Sequence, residues 1–168
     1  MNKLKIGLDV DGVIADFFNS YYKFFNMDYS TPIDSNKMTK ACNQILIHEH
    51  DFWVEMPILY MPNFTPKLIC TKRNFPIEWT KEFLIKNNIS TVPIIQIEYS
   101  QNKSTFLKQE NIDVFIEDTP ENLEDLISHG IPCLLLDGDF NKYYNTPYRI
   151  YSLEYQEIEK MYNKYFKL

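Results

Sequence analysis

From residue 67 onward, short apolar runs alternate with amphipathic stretches of helical period, and this alternation constrains the fold more than any other feature. Lys67–Thr71, Val92–Ile97, Val114–Ile116 and Cys133–Leu136 are too short for buried helices and rich in Ile, Val and Leu, so each reads as a buried strand. Pro76–Asn88 and Lys103–Asn111 read as the helices between them. A further helix opens on Thr119 as N-cap and Pro120 at N1, carries the stripe Leu123, Leu126 and Ile127, and stops at Gly130. Leu153–Phe166 closes the chain as a helix, with Ile158, Met161, Tyr162 and Tyr165 at i, i+3, i+4 and i+7. Strand and helix in strict alternation predict a parallel sheet covered on both faces.

Leu4–Val10 reads as one more buried strand of that sheet. Residues 16–64 interrupt the alternation. Asp16–Phe25 places Phe17, Tyr21 and Phe25 at i, i+4 and i+8, a helical stripe. Residues 26–36 form a polar loop, Lys37–His50 a second helix, and Pro57, Pro62 and Pro66 punctuate the return. The expected architecture is therefore a three-layer α/β core of residues 1–15 and 65–168, with a small helical insertion of residues 16–64 after the first strand.

Composition narrows the function. Of 168 residues, 17 are Lys or Arg and 23 are Asp or Glu, giving a formal net charge of -6. An acidic chain lacks the basic footprint that duplex DNA requires, so no duplex nucleic acid is expected as partner. The apolar runs are shorter than a membrane span, and the run in MNKLKIGLDVDG is too short for a signal peptide. Cys42, Cys70 and Cys133 are odd in number and lack CxxC spacing, which argues against a disulfide scaffold or a cysteine zinc site and fits a reducing cytoplasm.

Ligands of open parallel sheets bind at the C-terminal ends of the strands. Those ends carry Asp9-Val10-Asp11-Gly12, Thr71-Lys72-Arg73, Ser100-Gln101-Asn102-Lys103 and Glu117-Asp118-Thr119. Carboxylates that suit a hard cation thus meet donors that suit an anion. Each piece alone has a plainer explanation. Asp9–Gly12 could be a solvated turn, although Val13-Ile14-Ala15 supplies none of the further oxygens a calcium loop needs. Glu117-Asp118 could simply favour a helix start, Thr71 could be an ordinary strand-end residue, and Lys103 a surface lysine no different from Lys108.

Ile6–Phe17 resembles the first motif of the haloacid dehalogenase superfamily, Cys70-Thr71 the second, Lys103 the third and Ile116-Glu117-Asp118 the fourth. Within it, the DVDGVIADF string, Phe52-Trp53, Ile69-Cys70-Thr71 and Val114–Asn122 are similar to the 5'(3')-deoxyribonucleotidases. The resemblance implies a Rossmann-like core with a helical cap, and a Mg2+-dependent phosphatase acting on nucleoside 5'-monophosphates. Asp9 would be nucleophile and metal ligand. Asp11 would be general acid and base, and would give its backbone carbonyl to the metal. Asp118 would be the third ligand, and Glu117 would reach the metal through water. Thr71, Lys72 and Lys103 would hold the phosphate, while Phe17, Trp53 and Arg73 would face the rest of the substrate from the cap side. Trp53 is the expected base platform, lying just outside a regular stripe, whereas the Phe17–Phe25 stripe also suits the insertion's own small core. Lys72 and Arg73 stand where relatives often have serine and proline, and Glu117 stands where many have aspartate. Another small phosphoester, a nucleic-acid phosphate end, or a catalytically silent binding module are the rival readings, and a homodimer is kept open.

Overall fold

The computed structural model describes residues 3–89 and 92–167. Six strands form one sheet: β1 (Ile6–Leu8), β2 (Leu68–Lys72), β3 (Ile94–Ile97), β4 (Val114–Glu117), β5 (Cys133–Leu136) and β6 (Arg149–Ile150). Their spatial order is β3-β2-β1-β4-β5-β6, and every pairing is parallel. The fold is thus the expected three-layer, Rossmann-like α/β type. Two-residue β6 falls in a segment with no apolar run, and the sequence alone does not announce it.

Alternation along the strands separates two cores. Ile6, Leu8, Ile69, Val114, Ile116 and Leu134 line one, and Leu68, Cys70, Phe115, Cys133 and Leu135 line the other. The three cysteines are buried and unpaired. The main covering helices are α4 (Ile77–Lys86), α5 (Lys103–Leu107), α6 (Pro120–Ser128) and α7 (Tyr155–Tyr165). Gly130 ends α6 at φ +75°, a conformation that costs glycine little. At the start of α6, Thr119 does not cap with its hydroxyl. Its Oγ1 donates instead to Asp118 Oδ1 at 3.1 Å.

Between β1 and β2 lie α1 (Phe17–Phe24), α2 (Ser35–Gln44) and α3 (His50–Val54). Asp34 caps α2 by accepting from the Lys37 N–H at 2.9 Å. The single helix expected over 37–50 is broken: a 3-10 turn at Leu46–His48 separates α2 from α3. The Leu46 carbonyl accepts the Glu49 N–H at 3.0 Å, which closes the 3-10 turn, and the Trp53 indole N–H at 2.7 Å. The insertion leaves and rejoins the core at one place. The Asp16 N–H donates to Pro57 O at 2.9 Å and the Leu59 N–H to Ile14 O at 2.7 Å. Among the described residues, no helix is long and apolar enough to cross a membrane.

Candidate active site

β1 is flanked by β2 on one side and β4 on the other, so successive connections leave it in opposite directions. Such a switch point opens a crevice beyond the strand ends. Asp9 follows β1, Glu117 ends β4 and Asp118 follows it, so the crevice is acidic from both sides. The turn after Asp9 is tight: the N–H groups of Ile14 and Ala15 both donate to Val10 O at 2.8 Å. Gly12 sits there at φ +77°, and a Cβ in its place would lie 1.9 Å from Asp118 Oδ2. Only glycine combines that backbone with that approach.

Asp9, Glu117 and Asp118 are all buried, with carboxylate oxygens within 4.8 Å of one another. Lys103 is the ammonium among them. Its Nζ lies 2.8 Å from Asp9 Oδ2 and also bonds Glu117 Oε1. Glu117 Oε2 accepts from the N–H groups of Asp118 and Thr119 at 3.0 and 3.2 Å. Asn122 Nδ2 donates to Glu117 Oε1 at 3.1 Å. Burial works against the Glu117 anion, but the Lys103 charge and these bonds hold its pKa below the ordinary value. Burial likewise opposes the Lys103 charge, which Asp9 and Glu117 together sustain above the usual range.

The other two acids behave differently. Burial pushes Asp9 up to about 7; Lys103 pulls the other way, while Glu117 and Asp11 add to the rise. Burial, then the charges of Glu117 and Asp9, raises Asp118 well above a normal carboxyl. Three carboxylates facing one ammonium leave an excess of two negative charges when all are ionised. That donor set, all oxygen and under-neutralised, fits a hard divalent cation such as Mg2+. Asp9 and Asp118 would hold it, because Glu117 is already committed to Lys103 and the backbone.

Three residues depart from expectation. Arg73, expected to face substrate, is 2% exposed and bound to Asp11. Its Nε donates to Asp11 Oδ2 at 2.9 Å and its terminal nitrogen to Oδ1 at 2.7 Å, while its other nitrogen donates to Thr80 Oγ1 at 3.0 Å. The guanidinium also lies 5.2 Å from the Trp53 ring centroid and 5.3 Å from that of Phe75. Trp53, the expected base platform, is 0% exposed. It stacks on Phe17 at 5.8 Å between centroids and meets Phe75 at 4.4 Å, so in this conformation Phe17 and Trp53 are core, not substrate contacts. Glu117, which the resemblance gives to the metal only through water, is bonded directly to Lys103, and that contact is compatible with such a role.

Thr71 is fully buried, and among the described residues its Oγ1 is the buried side-chain polar atom that finds no hydrogen-bond partner. An orphan hydroxyl of that kind is costly unless something binds it. Lys72 is half-buried, and burial followed by repulsion from Lys103 lowers its pKa. Asn141 was missed by sequence reasoning. Its Nδ2 donates to Asp118 O at 2.7 Å and Leu136 O at 2.8 Å, fixing the chain that carries Asp118. No local motif marks it, because its partners lie on two other segments.

No protein-family model matches the chain, and no curated protein matches it. Among solved structures the chain is similar to the UTR4 protein (unknown transcript 4 protein) of Saccharomyces cerevisiae, at 10% identity with a TM-score of 0.42. That likeness covers 94% of this chain and 99% of that one.

Proposed function

We propose that this chain is a Mg2+-dependent phosphatase of the haloacid dehalogenase type, hydrolysing nucleoside 5'-monophosphates in the cytoplasm, with residues 16–64 as the cap. The observation that carries the reading is the meeting of Asp9, Asp118 and Lys103 at the switch point, with the unpartnered Thr71 hydroxyl near the end of neighbouring β2. A metal bound by Asp9 and Asp118, with the Asp11 backbone carbonyl, would supply charge neutralisation for an incoming dianion.

Asp9 attacks phosphorus and forms an aspartyl phosphate as the P–O bond to the alcohol breaks. Asp11 gives its proton to the departing alkoxide, then takes one from the water that hydrolyses the acyl phosphate. Thr71 Oγ1 donates to a non-bridging oxygen, and Lys103 balances charge beside it. Arg73 is a positioning residue for Asp11. It holds both carboxylate oxygens, so the acid step requires one of those bonds to open.

The test is a panel of phosphate monoesters with Mg2+, read as released phosphate, with Asp9→Asn as control. Release from nucleotides that stops in the variant supports the reading. Absence of release from every monoester overturns it.

A further inference from the structure

We propose that the cavity between α1 and the loop after β5 is a nucleoside subsite selective for bases that carry an exocyclic amino group; as a subsite for the leaving group it rests on the phosphatase reading. The cavity measures about 680 Å3, within the range of small-molecule sites. Asp16, Phe18, Asn19 and Tyr22 line it from the insertion, and Phe140 and Tyr143 from the core.

The cavity adjoins the carboxylate cluster across the Phe18 side chain. A Cβ built at Gly12 would meet Asp118 Oδ2 and, at 3.1 Å, the edge of the Phe18 ring. Phe18 therefore stands beside the Asp118 carboxylate on one side and walls the cavity on the other. Its ring stacks on Phe140, with centroids 3.5 Å apart and planes at 22°, so one aromatic pair bridges insertion and core between the two compartments. The rival place for a base, beside Trp53, is filled by Phe17 and Phe75.

The lining specifies the ligand. Aromatic faces accept any flat ring, so they argue for a base without choosing one. The choice falls to Asp16 and Asn19. Asp137 and Asp139 also line the cavity but are paired, with Arg149 and Lys142. Asp16 Oδ2 accepts from Asn19 Nδ2 at 2.9 Å, and among the described residues Oδ1 takes no side-chain or backbone donor. The Asn19 amide keeps a second N–H. An acceptor and a donor side by side match an amino group next to a ring nitrogen, as on cytosine and adenine. Thymine and uracil present a carbonyl oxygen where that amino group stands, and it would face the Asp16 carboxylate.

The experiment uses the whole chain without metal and unphosphorylated nucleosides, so it does not depend on turnover. Calorimetry and amide NMR shifts compare deoxycytidine and deoxyadenosine with thymidine. The expected result is a preference on the order of tenfold for the amino-bearing pair, with shifts at Asn19, Gly138 and Tyr143. Asp16→Asn should abolish the preference. It leaves α1 intact, because the Asp16 side chain makes no cap hydrogen bond to that helix. Asn19→Leu, checked for folding by circular dichroism, should lose it too. Equal affinities, no binding, or shifts confined to Phe52 and Trp53 would overturn the inference. Phosphate release from nucleotides without nucleoside preference would remove the subsite and keep the phosphatase. Nucleoside preference without phosphate release would do the reverse.

Discussion

Breaking the Arg73–Asp11 pair from its two ends should give unequal costs, and the structure predicts which is larger. The side chain of Arg73 is 0% exposed, and that of Asp11 is 19% exposed. In Asp11→Ala the guanidinium loses both carboxylate bonds and keeps only the Thr80 hydroxyl and the aromatic faces as partners. Removing one member of a buried ion pair costs about 3–5 kcal/mol, and this end should show that full range. In Arg73→Met a thioether chain of similar length refills the space beside Trp53 and Phe75, and the Asp11 carboxylate turns to solvent. Hydrophobic replacement at buried pairs is often neutral, so we expect about 1–2 kcal/mol at this end. The double variant should cost clearly less than the two singles added, because each single strands a charge the double lacks. Urea unfolding of the four proteins at pH 7.5 in excess chelator measures the cycle. In a domain of this size each kcal/mol corresponds to about 2–4 °C in Tm, so Asp11→Ala should melt roughly 6–20 °C below the parent. Equal single costs that simply add would refute the pairing as the source of the effect.

The metal-free cluster sets a pH signature. Burial raises Asp9 from 3.8 to about 7, so between those values the folded state holds a proton that the unfolded state has released. Its contribution to stability therefore falls as pH rises from about 4 to about 7. Asp9→Asn, uncharged throughout, should gain on the parent between pH 4.5 and pH 8 in chelator; an unchanged gap in thermal unfolding would contradict this. Adding Mg2+ at pH 8 should raise the parent's melting temperature and restore turnover lost to chelator, with Ca2+ a poor substitute in turnover, while Asp118→Asn should lose most of the thermal response. Trp53→Ala should cost about 3–5 kcal/mol, as a buried aromatic does, and lower nucleotide and nitrophenyl phosphate turnover alike. A loss confined to nucleotides would return Trp53 to the substrate.

Much of the core was legible in the sequence, because its signals are local. A buried parallel strand needs a continuous apolar run, and a ligand-bearing strand end needs polar residues next to it. Reading the runs before Asp9, Thr71 and Asp118 therefore locates the crevice without coordinates. Helix starts at Pro120 and stops at Gly130 are equally local, being set by φ and by missing N–H groups. What tertiary structure alone decided involves pairs with no sequence signal. Arg73 and Asp11 are 62 residues apart, and nothing in Thr71-Lys72-Arg73 tells which way the guanidinium turns. Arg73 follows β2 directly, its N–H still bonded to Ile97 O at 2.9 Å, and its side chain runs past the rings of Trp53 and Phe75 to Asp11. Trp53 lies outside a helical stripe and so reads as free to meet a ligand. It is buried instead between Phe17 and Phe75, with its indole N–H on the Leu46 carbonyl at the helix break. The cavity beside Phe18 has walls from the insertion and from the loop after β5, segments far apart along the chain. A local pattern reports which groups a segment can offer; which groups meet depends on how the sheet order and the insertion bring distant segments together.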